Sequence, residues 1–155
     1  MTSLCGSPDS ALLIEMLAKM IRARRCVEIG CLTGFRTVSL ALAVPADGQV
    51  ITCDITDKHL TPVRGLWKEA GVDQKITVRI GDAQTLTEKM LTEGETGKID
   101  LVLIDADQRN VMTHFERALR LCRPGGLIIV DSTLLRGYFS LFKSYHLLSF
   151  IIPQF

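Results

Sequence analysis

Charge of one sign is scarce in this sequence: 18 Lys and Arg against 17 Asp and Glu leave a formal net charge of +1. No basic surplus exists to hold a nucleic-acid backbone or an anionic bilayer, so neither is expected as a partner. Long hydrophobic runs are lacking too. The stretch from Tyr138 to Ile152 is rich in apolar residues but is interrupted by Lys143 and His146. It also falls short of the roughly 20 residues a membrane span needs. The opening MTSLCGSPDS has no basic-then-apolar pattern, so no secretory signal is expected there. The five cysteines, Cys5, Cys26, Cys31, Cys53 and Cys122, are odd in number and contain no CxxC pair. Neither a disulfide framework nor a zinc site follows, and the expected location is the cytoplasm or another reducing compartment. His59, His114 and His146 are scattered without metal-ligand spacing and are expected to be structural or solvated.

What is present is a globular composition, 47% apolar and 23% charged, over the 155 residues of one ordinary domain. Ser7-Pro8-Asp9-Ser10 is a helix-start signal, and Leu12, Leu13, Met16, Leu17, Met20 and Ile21 follow at a period near 3.6. Arg22, Arg24 and Arg25 close that helix at its negative end. A short apolar run, Cys26 to Ile29, then ends in Gly30. The alternation repeats, with helices expected over 37–44, 59–70, 85–91 and 111–121 and strands over 50–53, 76–80, 101–104 and 127–130. Turn residues mark the junctions, notably Pro45 to Gly48 and Arg123 to Gly126. Five short apolar strands alternating with helices predict an α/β fold with a doubly wound, mostly parallel sheet covered on both faces. Trp67 and Phe115 fall on helix faces and are expected in the core.

Ligands of such sheets bind at the carboxyl ends of the strands. Here the first strand ends in Glu28-Ile29-Gly30-Cys31-Leu32-Thr33-Gly34, and Asp54, Asp82, Asp105 and Asp131 end or follow the next four. A glycine turn alone is a tight strand-to-helix connection, and one aspartate alone is often a helix N-cap. Acids at four successive strand ends are hard to explain as packing and point to a nucleoside-like ligand. Glycine lets backbone approach that ligand closely, the following helix directs free N–H groups at it, and Asp54 is placed to accept from ribose hydroxyls.

These segments together resemble one family. Val27 to Phe35 is similar to the glycine motif VLEIGTFTGYS of the catechol and caffeoyl-CoA O-methyltransferases, which are class I, S-adenosylmethionine-dependent enzymes. Leu103-Ile104-Asp105-Ala106-Asp107 resembles their IDADK segment, Leu121 to Gly126 their LLxPGG, and Asp131 to Gly137 their DNTLWxG. Ala43 to Gly48 and Asp107 to Phe115 resemble the catechol O-methyltransferase domain-containing branch. The resemblance implies a Rossmann-like fold, a small hydroxylated acceptor such as a catechol, and a homodimer as the possible assembly. It implies that Glu28, Gly30 and the turn to Gly34 hold the methionine part of the donor. Asp54 would bind its ribose, Asp82 and Ala83 would lie beside its adenine, and Asp105 would face its amino group. Asp105, Asp131 and Ser132 would form a site for Mg²⁺, whose bound hydroxyls become acidic enough to attack the methyl.

The chain departs from that pattern at named places. Gln108 stands where the family has a lysine base, and an amide cannot accept the proton at neutral pH; Arg109 stays protonated. Ser132 stands at the family's asparagine ligand, and its hydroxyl is a shorter and poorer ligand. The family's leading helices, and any anchor they carry, are not expected in this sequence. Residues 1–137 are therefore expected to be an incomplete S-adenosylmethionine-binding domain lacking the last two strands, and 138–155 an atypical apolar tail. Two other readings stand beside the enzyme: a truncated or non-catalytic domain that keeps cofactor binding, and a nicotinamide-dependent oxidoreductase. The last lacks GxGxxG and a Tyr-xxx-Lys pair.

Overall fold

The apolar runs become the strands of one sheet and the amphipathic stretches the helices that cover it. The structure, a computed structural model, describes residues 8–106, 109–131 and 150–153. In chain order the elements are α1 (Pro8–Met20), β1 (Arg25–Ile29), α2 (Phe35–Ala43), β2 (Gln49–Asp54), α3 (Arg64–Glu69), β3 (Ile76–Ile80), α4 (Ala83–Thr92), β4 (Ile99–Ile104), α5 (Val111–Leu121), β5 (Cys122–Val130) and β6 (Phe150–Pro153). The strand order across the sheet is β3-β2-β1-β4-β5-β6. The first five strands run parallel, as the alternation predicts, and β6 pairs antiparallel with β5.

Alternate side chains of each strand go to opposite faces, and both faces are buried. Cys26, Val50, Leu101, Leu103, Leu127 and Ile129 meet Ile14 and Ala18 of α1, Leu40 and Ala41 of α2, and Trp67 of α3. Val27, Ile29, Ile51, Val102, Ile104, Ile128 and Val130 meet Met90 and Leu91 of α4 and Ala118 and Leu121 of α5. Trp67 lies in the core on the α1–α3 side, and Phe115 packs against the core on the α4–α5 side. His114 is a buried, partnered histidine. The carboxyl end of α2 is closed by Lys75, whose Nζ donates to the carbonyls of Ala41 and Val44 at 2.9 Å each, a cation on the negative end of the helix.

Three elements differ from the sequence expectation, each for a local reason. The helix expected over 59–70 is confined to Arg64–Glu69. Pro62 has no N–H, and its ring would collide with a helical carbonyl four residues back, so 58–63 form turns instead. The turn residues Arg123 to Gly126 lie inside the span of β5: Ile99 pairs with Cys122 but Leu101 pairs with Leu127, so four residues bulge opposite Asp100 alone. The tail contributes β6, with Ile128 paired to Ile152 and Val130 to Phe150. It covers the edge of β5 that the end of the parallel series would leave open. Among the described residues no helix is long and apolar enough to cross a membrane.

Candidate functional site

The reversal of strand order lies between β1 and β4, because β1 connects outward to β2 and β3 while β4 and β5 are added on its other side. Ligand crevices form outside such reversals. The strand ends there are locked in register by one backbone hydrogen bond after another. Gly81 N–H donates to the Asp54 carbonyl at 2.8 Å, Gly30 N–H to Cys53 at 2.9 Å, Asp105 N–H to Ile29 at 2.8 Å and Asp131 N–H to Ile104 at 2.9 Å. Read across the sheet, the tips are Gly81, Asp54, Gly30, Asp105 and Asp131. The topology thus brings the sequence-predicted acids of β2, β4 and β5 to one edge, on either side of the glycine turn.

The turn is tight in two directions. Gly30 has φ +95° and a Cβ there would lie 2.2 Å from the Asp105 carbonyl oxygen. Gly34 has φ +69° and a Cβ would lie 2.6 Å from the Trp67 ring. Glycine is demanded at both positions by space as well as by backbone angle. Asp54 holds the loop between them: one carboxylate oxygen, Oδ2, accepts from Cys31 N–H at 2.9 Å and from Leu32 N–H at 2.7 Å. Its other oxygen has only a long contact, 3.3 Å, from Thr56 N–H. Half-buried Asp54 therefore keeps acceptor capacity on its second oxygen while anchoring the turn.

Glu28 is placed beneath the turn and not on its surface. It is 1% exposed. Its Oε2 accepts from Thr37 Oγ1 of α2 and from Thr52 Oγ1 of β2, the latter at 2.7 Å. Burial pushes its carboxyl up from 4.5 to about 7, against the lowering effect of the two hydroxyls. The neutral acid is the form the fold accommodates. Because the folded value exceeds the unfolded one, the stability it contributes is complete below about pH 4.5 and is lost as pH rises through about 7. At ~1.36 kcal/mol per unit the effect is on the order of 3 kcal/mol. Glu28→Gln is expected to flatten the decline of the urea midpoint between pH 4.5 and pH 7. Identical pH profiles for the two proteins would show that Glu28 is ionised at no cost.

Asp82 caps α4: its Oδ2 accepts from Thr85 N–H at 2.8 Å and Thr85 Oγ1 at 3.0 Å. The backbone N–H of Thr85 is the main cause that holds its carboxyl below the usual range. Ala83 begins that helix and is half-buried. Gln108 and Ser132 lie outside the described residues. Asp105 and Asp131 do converge, and between them lies a group the sequence reading passed over. Arg36, on the first turn of α2, places Nη1 on Asp105 Oδ2 and Nη2 on Asp131 Oδ2. Its side chain is 8% exposed, and those of Asp105 and Asp131 are 19% and 12% exposed. Two signals for it were available: it is the only charged residue of Phe35–Ala43, and the motif VLEIGTFTGYS ends in serine at its position. Among the described residues no group of three or more His, Cys, Asp or Glu could hold a metal ion.

Comparison with known proteins gives the family of the chain. The family model described as O-methyltransferase matches residues 1–142. Catechol O-methyltransferase domain-containing protein 1 of Mus musculus is 38% identical over 129 residues, 83% of this chain and 49% of that protein. Caffeoyl-CoA O-methyltransferase 1 of Eucalyptus globulus is 34% identical over 131 residues, 84% of this chain and 53% of that one. The chain spans about half the length of the curated relatives it matches. Among solved structures, the O-methyltransferase TomG of Streptomyces achromogenes, in complex with SAM, superposes with a TM-score of 0.82. The identity is 30%, over 92% of this chain and 63% of that one. The O-methyltransferase of Bacillus cereus, in complex with SAH, gives 0.80 at 31% identity, over 92% and 64% of the two chains.

Proposed function

The chain belongs to the O-methyltransferase family, and from that premise we propose that it binds S-adenosylmethionine at the β1–β4 crevice and serves methyl transfer to an oxygen of a small, catechol-like acceptor. The observation that carries the reading is the row of strand tips, in which Asp54, Gly30 and Asp105 are held side by side by backbone hydrogen bonds. The residues suit the donor. A carboxylate with a spare oxygen fits a ribose diol, and a glycine turn leading into a helix fits a polar methionine end. Two relatives of known structure hold the donor or its demethylated product.

In this reading the donor supplies an electrophilic methyl on a sulfonium, and the chain's own residues align it. Asp54 takes the ribose hydroxyls. The backbone from Gly30 to Gly34 holds the methionine part, with Glu28 bracing the turn from below through Thr37 and Thr52. Asp82 and Ala83 lie beside the adenine, and Asp105 faces the amino group. Alignment of donor and acceptor is itself a large contribution to rate.

A second reading, a methyltransferase-like domain that binds the donor without catalysis, is favoured by Gln108 at the position of the family's base. Calorimetric titration with S-adenosylhomocysteine separates binding from its absence, and transfer of a labelled methyl to a catechol separates the two readings. One equivalent bound is expected. A folded chain that takes up no S-adenosylhomocysteine overturns both readings.

A further inference from the structure

The resemblance implies a divalent metal between Asp105 and Asp131, and the side chains present do not fit one. Mg²⁺ needs a near-octahedral shell of oxygens at about 2.0–2.1 Å and keeps several waters. Here one oxygen of each carboxylate is already in contact with the same guanidinium, Nη1 on one and Nη2 on the other. The two terminal nitrogens of a planar guanidinium form a fork that two acceptors can share. A metal could not take the shared position without expelling a cation that is itself nearly buried.

The placement of Arg36 argues that this pairing is built in. It lies in the first turn of α2, the positive end of the helix, where a cation is disfavoured. It is also inside the protein, at 7% residue exposure, where a guanidinium needs paired anions. Both costs are offset by the pair of acids at the tips of β4 and β5. Those tips are fixed independently by the Asp105-to-Ile29 and Asp131-to-Ile104 backbone hydrogen bonds. The acids therefore meet at this place whatever cation lies between them.

We propose that Arg36 is the resident cation of this site, occupying the position of a divalent metal between Asp105 and Asp131, so that the chain closes its crevice without metal. The guanidinium joins the turn after β1 to the tips of β4 and β5, the structural work a bridging ion would do. It cannot do the ion's chemistry: it offers no open coordination position at which two vicinal hydroxyls become acidic. Ligand binding at this crevice is thus independent of Mg²⁺.

Mn²⁺ is a suitable probe, because it shares the oxygen preference and its binding is read by electron paramagnetic resonance without any turnover. The unsubstituted chain is expected to bind no Mn²⁺ that depends on Asp131. Arg36→Ser, which removes the guanidinium from both carboxylates, is expected to gain one Mn²⁺ site at least about tenfold tighter than any in the parent. Adding Asp131→Asn should abolish it. If Arg36→Ser does not fold, as judged by far-ultraviolet circular dichroism, Arg36→Gln takes its place with the same expectation. A parent chain that binds one Mn²⁺ and loses it on Asp131→Asn overturns the proposal. So does a folded Arg36 variant that gains no site. These readouts involve no methyl donor, so they stand or fall separately from the proposed function.

Discussion

Gly30→Ala is expected to lower the melting temperature by roughly 10 °C, the largest loss of any glycine-to-alanine change among the described residues. Two costs coincide at that position. The backbone angle of +95° is one that an L side chain rarely adopts, worth roughly 1–2 kcal/mol. The new Cβ would also lie 2.2 Å from the Asp105 carbonyl oxygen. Backbone on both sides must then move, at a further cost of about 1–3 kcal/mol. Neither neighbour can yield cheaply, since Asp105 N–H and Gly30 N–H are both rungs of the ladder that aligns the strand tips. Gly71→Ala is the control: it shares a positive angle, +66°, but has nothing within 4 Å. Its drop should be confined to the conformational part. Equal drops for the two variants would mean that the close approach of β1 and β4 carries no weight.

Asp54→Ala should reduce affinity for S-adenosylhomocysteine by about 100-fold or more, because two hydrogen bonds from ribose hydroxyls to a carboxylate are worth about 1.5 kcal/mol or more each. The same substitution strips the partner from Cys31 N–H and Leu32 N–H. A structural loss of roughly 2–4 kcal/mol is therefore expected with it. Asp54→Asn separates the two effects. Its amide oxygen can still accept from the loop, so stability should largely return, while the charge that favours a diol is gone. Calorimetry on Asp54→Asn with the loop intact is the deciding measurement. Undiminished affinity there would remove Asp54 from the ribose and leave it only as a brace.

The sheet and its acidic tips were legible because both are written in local sequence. A strand buried on two faces is a short apolar run, and Asp54, Asp105 and Asp131 follow such runs directly. What lay outside local sequence was pairing. Glu28 sits in an apolar run, and nothing in its neighbourhood says that Thr37 and Thr52 will supply its hydrogen bonds. Arg36 was visible as a charge in an otherwise uncharged helix, but its two partners are 69 and 95 residues away, the latter from positions 131 and 36. The helix expected over 59–70 begins only at Arg64, because Pro62 has no N–H to donate and its ring opposes a preceding helical turn. β6 carried no signal beyond its apolar character, since an antiparallel partner for β5 can be recruited from any extended segment.

The seam between β1 and β4 has a consequence for assembly. Gly30 and Asp54, proposed to hold a nucleoside, both lie within the first 54 of the 155 residues, yet the neighbouring tip, Asp105, is contributed far downstream. A nascent or cleaved chain that stops after β3 owns every glycine of the turn and half of the crevice. Non-local pairing of this kind forms late, since a long intervening segment must be closed first. The proposed donor site is therefore complete only once β4 has joined the sheet.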